Sequence, residues 1–194
     1  MPITFGISFT NTQMNHARAL VHIYLDGSIG ISTAAVEMGQ GVNTKILQIA
    51  AQVFSIDKNK VKIETTNTTR VANTSPSAAS STADLNGKAT LKACETLLDR
   101  LKDVASEDLN VSKNTITLKD EFVYINDKKT DLNWTELIFK AMAKRVALTE
   151  NAHYATPEIH FDKTKEKGHP FAYHVYGTSI TIVTVDCTRG TYIF

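Results

Sequence analysis

Val36-Glu37-Met38-Gly39-Gln40-Gly41 sets two glycines around a glutamine where a strand hands over to a helix. A helix opens with backbone N–H groups that lack intrahelical partners, and its dipole adds partial positive charge at the same end, so this turn predicts a socket for an anion. Gly39 and Gly41 carry no Cβ, which admits a sharp turn and close approach of a ligand to the amides, and Gln40 offers both a donor and an acceptor. Downstream, Ile46, Leu47, Ala50, Val53 and Phe54 recur at helical spacing and predict one buried face. Standing alone, the triplet reads as an ordinary strand-to-helix turn.

A second stretch repeats the logic with hydroxyls. Asn73-Thr74-Ser75-Pro76-Ser77-Ala78-Ala79-Ser80-Ser81-Thr82-Ala83-Asp84 leads into a long helical pattern, about residues 84–105, whose Ala89, Ala93, Leu97, Leu101 and Val104 mark a buried face. Capping explains one or two of the hydroxyls but not their density. The small residues Ala78 and Ala79 would let a flat ligand lie against backbone, while the serines bond phosphate or ring heteroatoms without adding charge. A Ser-rich surface loop is the plainer alternative.

The ordered pair Glu37-Met38-Gly39-Gln40-Gly41 and Ser75-Pro76-Ser77-Ala78-Ala79-Ser80 resembles the molybdenum hydroxylases, and their purine-oxidising members above others. The likeness runs through nearly the whole chain, by way of Ile7-Ser8-Phe9-Thr10, Asp84-Leu85-Asn86-Gly87, Tyr176-Gly177 and Val185-Asp186-Cys187. It implies a molybdenum–molybdopterin cofactor whose pterin ends in a phosphate or a nucleotide. It assigns Met38, Gly39 and Gln40 to that cofactor, together with Ala79, whose backbone would lie near the molybdenum, and Ser80 and Thr82, whose hydroxyls would bond the pterin. Phe9 and Thr10 match the pair that faces a purine substrate; on residue type alone they would be a core aromatic and a strand residue.

The chain departs from the family where Ala34-Ala35-Val36 stands for a frequent Gly-Gly-Thr and Ser77 for a frequent threonine. The family's catalytic glutamate, in a Gly-Glu motif, and its purine-clamping arginine have no counterpart here. The resemblance therefore implies residues 1–194 as one partial cofactor-binding domain, cut at both ends and inactive alone. The whole enzyme would hydroxylate xanthine or hypoxanthine and pass electrons through 2Fe-2S clusters and FAD, on other segments or subunits, to NAD. An aldehyde or another N-heterocycle as substrate, a non-catalytic binding module, and a plain α+β domain with capped helix starts are the alternatives.

Composition excludes several classes. A net charge of +1 leaves no footprint for nucleic acid or an anionic membrane. Two separated cysteines and six dispersed histidines give neither a disulfide framework nor zinc spacing, and no iron–sulfur cluster motif. No signal peptide and no membrane span are legible, and reduced thiols imply a cytoplasmic protein.

The remaining patterns predict an α+β fold, a mixed sheet with helices packed on it. Leu20 to Leu25 and Ser28 to Thr33 read as a hairpin about Asp26-Gly27. A strand follows around Val61 to Thr65, and a second hairpin pairs Thr115 to Leu118 with Phe122 to Ile125. Asn133-Trp134-Thr135-Glu136 has capping-box spacing for a third helix carrying Leu137, Ile138, Ala141 and Met142 with a polar outer face. Residues 146–170 predict an extended strand and an exposed loop. Residues 173–185 predict one long strand buried on both faces at its far end, with apolar edges exposed if its partners lie elsewhere. Gly87 inside a helix predicts close packing.

Overall fold

The computed structural model describes residues 2–64 and 66–194, and side chains from residue 6 onward. Alternation drives the first hairpin. In β2 (His16–Ile23) Ala17, Ala19, Val21 and Ile23 all face inward, whereas β3 (Ile29–Thr33) is buried throughout because it lies inside the sheet. β1 (Pro2–Ile7) precedes them. At the turn, Asp26 accepts hydrogen bonds from the Ser28 amide (2.9 Å) and hydroxyl (2.6 Å), and Gly27 adopts φ 82°.

Helix α1 (Val42–Phe54) buries Val42, Ile46, Ala50 and Phe54 at four-residue spacing. β4 (Val61–Ile63) then adds to β3 in parallel; Thr65, the expected end of this strand, lies outside the described residues. Helix α2 (Thr82–Leu109) extends beyond the expected 84–105 and stops at Asn110, whose left-handed conformation closes the last turn on Ser106. Gly87 is buried in it, and a Cβ there would stand 2.9 Å from Ile49 Cδ1 of α1, so the expected close packing is present.

β5 (Ile116–Lys119) and β6 (Phe122–Ile125) form the second hairpin as expected. Asp120 and Glu121 both take positive φ, the requirement of a type I′ turn. A third strand, β7 (Lys128–Asn133), is an element the sequence did not disclose; Asn126 and Asp127 make a second positive-φ pair before it. Helix α3 (Trp134–Ala143) carries the full capping box, with Glu136 N–H donating to Asn133 Oδ1 at 3.0 Å and the reverse bond at 3.3 Å. Its outer face is not wholly polar: Phe139 and Met142 are exposed, and Met142 leaves the expected buried stripe. Lys140 and Lys144 reach Asp108 and Glu107 of α2 at 2.8 and 2.7 Å.

β8 (Thr149–Ala155) pairs antiparallel with β2 and completes a four-stranded mixed sheet of order β4-β3-β2-β8. The expected exposed loop after it is a small hairpin, β9 (His160–Asp162) with β10 (Lys167–His169). The long strand over 173–185 is corrected. β11 (Tyr173–Thr178) pairs with β1, residues 179–183 are not a strand, and β12 (Thr184–Asp186) turns back into β13 (Thr191–Ile193). Ile180 and Ile182 are over 80% exposed, so neither face of this segment is buried. Its apolar edge is exposed, as the pattern implied. No described helix is long and apolar enough to cross a membrane.

One core joins sheet, helices and the three-stranded β5-β6-β7 unit. Trp134 is its keystone, 1% exposed, with its ring 5.3 Å from Phe54 and its Nε1 donating to the Gly27 carbonyl at 2.8 Å. Trp134→Ala should cost about 3–5 kcal/mol, the range for truncating a fully buried aromatic. A urea midpoint followed by circular dichroism checks it, since Trp134 is the chain's one tryptophan.

Candidate functional site

The two polar stretches meet. Met38, Gln40, Val42 and Lys45, from the start of α1, and Ser77, Ala78, Ser80, Thr82 and Ala83, from the start of α2, line one cavity of about 380 Å³. Its edge is tied by a hydrogen bond across the two loops, from the Val36 amide to Ser77 Oγ at 2.8 Å. Of the residues singled out in the sequence, Met38, Gln40, Ser80 and Thr82 come together here. Gly39 and Ala79 sit within the same two loops without lining the cavity. Phe9 and Thr10 lie on a different loop and do not line it either.

The first loop holds its shape through one side chain whose role sequence reasoning missed. Glu37 Oε1 accepts from the amides of Gly39 and Gly41, both at 2.9 Å, and Oε2 accepts from Asn43 at 3.1 Å. The anion socket expected at the start of α1 is thus filled by the chain's own carboxylate. The amide of Asn43, then those of Gly41 and Gly39, hold the Glu37 carboxyl below the ordinary glutamate range. A signal was present: a glutamate shortly before a helix start is where a carboxylate satisfies orphan amides.

Gln40 also turns inward, accepting from Met38 N–H at 2.6 Å and donating to the Val36 carbonyl at 2.8 Å. A carboxamide has two acceptor lone pairs and two donors, so half its capacity remains for a ligand. Gly39 (φ 99°) and Gly41 (φ 74°) have nothing within 4 Å of where a Cβ would stand, so their open side is free for a bulky group.

The second loop is built differently. Ala79 and Ser80 take consecutive left-handed conformations, φ 52° and 55°, uncommon for residues with a Cβ and held only where surroundings compel them. Ser81, the residue before α2, makes no side-chain cap; its hydroxyl donates to the Ala78 carbonyl at 3.1 Å. α2 therefore opens without the capping oxygen that α1 receives from Glu37. With Lys45 as the one charged residue lining the cavity, the cleft favours an anionic, hydrogen-bonding ligand.

The Phe9 loop is fixed at its backbone. Asn15 Oδ1 accepts from the Phe9 amide at 2.8 Å and its Nδ2 donates to the Phe9 carbonyl at 2.9 Å. Ser8, before it, is buried with φ 137°, a strained value for serine. Thr10 is exposed. Ser75 Oγ donates to the Met14 carbonyl, joining this loop to the serine loop.

Comparison with known proteins gives these features a context. The family model described as a molybdopterin cofactor-binding domain matches residues 1–193. The chain is 36% identical over 190 residues to the xanthine dehydrogenase/oxidase of Mus musculus and 37% identical over 190 residues to xanthine dehydrogenase 1 of Arabidopsis thaliana. Both matches take in 98% of this chain but only 13% and 12% of those proteins, so the chain spans about an eighth of their length. Among solved structures, quinoline 2-oxidoreductase from Pseudomonas putida 86 superposes with a TM-score of 0.71, at 19% identity, over 86% of this chain and 25% of that one. The aldehyde oxidoreductase from Desulfovibrio gigas does so with 0.64, at 18% identity, over 90% of this chain and 16% of that one. At these identities the structures speak for the fold.

Because the fold lowers the Glu37 pKa, its contribution is complete above the ordinary value of 4.5 and is lost as pH falls through the lower folded value. Amide-exchange protection of residues 36–43 should therefore collapse on acidification. In Glu37→Gln it should be reduced already at pH 7 and lose that pH dependence; unchanged protection in the variant would remove Glu37 from its organising role.

Proposed function

Since the chain belongs to the molybdopterin cofactor-binding domain family, we propose that it forms the cofactor-holding part of a molybdenum hydroxylase that oxidises xanthine or hypoxanthine. The observation that carries this reading is the convergence of Met38, Gln40, Ser80 and Thr82 on one cavity from loops four decades of sequence apart. Similarity to xanthine dehydrogenases over 98% of the chain supports purine as the substrate class.

The cleft suits the group. It is open beside Gly39 and Gly41, its lining includes no carboxylate, and hydroxyls and amides predominate among its polar groups. The spare donor and acceptor of Gln40 and the hydroxyls of Ser80 and Thr82 would hold the pterin, with Met38 against it and the Ala79 backbone near the metal. Lys45 and the uncapped start of α2 would receive its phosphate end. When bound, the molybdenum centre supplies the two-electron redox chemistry of hydroxylation, chemistry that no side chain here provides.

This chain's own part is positioning. Asn15 and Ser8 fix the Phe9 backbone, so that Phe9 and Thr10 would orient a purine ring without exchanging protons with it. The general base, the arginine that clamps the purine, and the iron–sulfur and flavin groups would lie on the remaining segments or subunits. Those segments are also the partners that would cover the exposed apolar face around Ile180, Ile182 and Phe194.

The intact protein should contain stoichiometric molybdenum and convert xanthine to urate with NAD as acceptor, whereas the 194 residues alone should show no turnover. Molybdenum without xanthine turnover would point to an aldehyde or another heterocycle; neither would mean a non-catalytic homologue. Gln40→Ala in the intact protein should weaken cofactor retention roughly fivefold, the equivalent of ~1 kcal/mol for one hydrogen bond, read as molybdenum per protein. Unchanged content would remove Gln40 from the site.

A further inference from the structure

Two histidines away from the cleft stand side by side. His16 opens β2, and His153 lies on β8 opposite Arg18, so the imidazoles meet diagonally across an antiparallel pair. Their ring centroids are 5.4 Å apart and their planes are tilted by 42°. Nε2 of His153 lies 3.4 Å from Nδ1 of His16. A cavity of about 360 Å³ opens beside them, lined also by Thr12, Gln13, Asn15 and Thr156.

That nitrogen separation is long for a hydrogen bond. It is close to the bite of a chelate: two imidazole nitrogens, each ~2.0–2.1 Å from a tetrahedral ion, stand ~3.3 Å apart. Chelation needs both lone pairs to converge beside the line between the nitrogens, a rotation about χ2, which is a broad torsion for histidine. The strands fix the two backbones, so little else must be ordered when an ion arrives.

We propose that His16 and His153 form a two-point site for a divalent transition-metal ion of the zinc, nickel and copper class, with water in the adjoining cavity completing its coordination. Imidazole is a favoured donor for these ions, whereas magnesium and calcium require oxygen ligands. No group of three or more His, Cys, Asp or Glu able to hold a metal occurs among the described residues. Lys92 Nζ lies 3.2 Å from the His153 carbonyl and Arg18 is opposite, so an ion held by charge alone is disfavoured and the nitrogen lone pairs must carry the affinity. The hydrogen between the rings moves, by exchange with water, to the far nitrogen of its own imidazole, and both facing nitrogens bind as neutral donors. Asn15, next to His16, is the residue that grips Phe9, so an ion here stiffens the loop proposed to face the substrate.

The test is a calorimetric titration of Zn²⁺, and separately of Ni²⁺, into the intact protein carrying His160→Ala, which removes the other cross-strand pair, His160 with His169. His16→Ala and His153→Ala should each weaken one binding event about 100-fold, the loss of an effectively intramolecular second contact. The double variant should be no weaker than either single one, His22→Ala should bind as its parent does, and Mg²⁺ should give no heat at this site. Equal affinity in parent and variants, or loss on only one of the two substitutions, overturns the proposal. Should a variant fold poorly, protection by Zn²⁺ of both imidazoles against carbethoxylation in the parent, mapped by mass spectrometry, decides in its place; absence of protection overturns it.

Discussion

The close approach of α1 and α2 is the constraint on which the rest depends. Gly87 has no side chain where Ile49 Cδ1 would meet it at 2.9 Å, so the two helices lie against each other with only a glycine between. Val42 and Lys45 share a cavity with Thr82 and Ala83, and further along Ile49 and Val53 share a groove with Gly87 and Leu91. Both helices therefore start at the same end and run the same way. Their preceding loops, far apart in sequence, have no choice but to meet. A larger residue at 87 would act on the cleft through this separation, although it touches nothing in it.

The two helix starts, once together, are not equivalent. Glu37 places a full negative charge against the amides of Gly39, Gly41 and Asn43, which consumes the positive end of α1 inside the loop. α2 receives no such cap from the residue before it, because the Ser81 hydroxyl is directed to the Ala78 carbonyl, and Asp84 in its first turn accepts from the Tyr173 hydroxyl. One loop satisfies its own amides with a side chain; the other does not receive such a cap from Ser81. The left-handed pair Ala79 and Ser80 belongs to the second kind, a backbone held in an uncommon conformation beside the cleft.

Most of the framework was legible because it rests on periodicity. The four-residue stripe of α1, the Ala89-Ala93-Leu97-Leu101 stripe of α2 and the alternation of β2 each report burial that the structure repeats. β7 was not legible: Lys128-Lys129-Thr130-Asp131 offers no apolar alternation, and only the turn pair Asn126-Asp127 announces it. The reading of 173–185 failed for a different reason. Apolar residues at Ile180, Ile182, Val183 and Val185 record faces meant for burial, and pattern cannot say which part of a protein supplies the cover. The site divides in the same way. Met38, Gln40, Ser80 and Thr82 were found through motif likeness and meet in space, while the work of Asn15, and of Glu37 apart from its place shortly before a helix start, is invisible in sequence. It consists of hydrogen bonds to backbone, which leave no periodic trace.

Asn15 shows how such a residue connects regions that no pattern joins. Its side chain holds the amide and carbonyl of Phe9, and its own carbonyl accepts from Thr156 N–H at 2.9 Å at the end of β8. The preceding carbonyl, that of Met14, receives the Ser75 hydroxyl from the serine loop. Two successive peptide groups thus tie the Phe9 loop, the serine loop and the edge of the main sheet to one point. A side chain with a single donor or acceptor could not replace it, since each Phe9 backbone group needs the opposite partner. Aspartate would leave the Phe9 carbonyl facing a carboxylate, and leucine would leave both groups unpaired in a position only 2% exposed. The geometry of the loop proposed to face substrate therefore rests on an asparagine buried behind it, which does not itself line the cleft between the two helix starts.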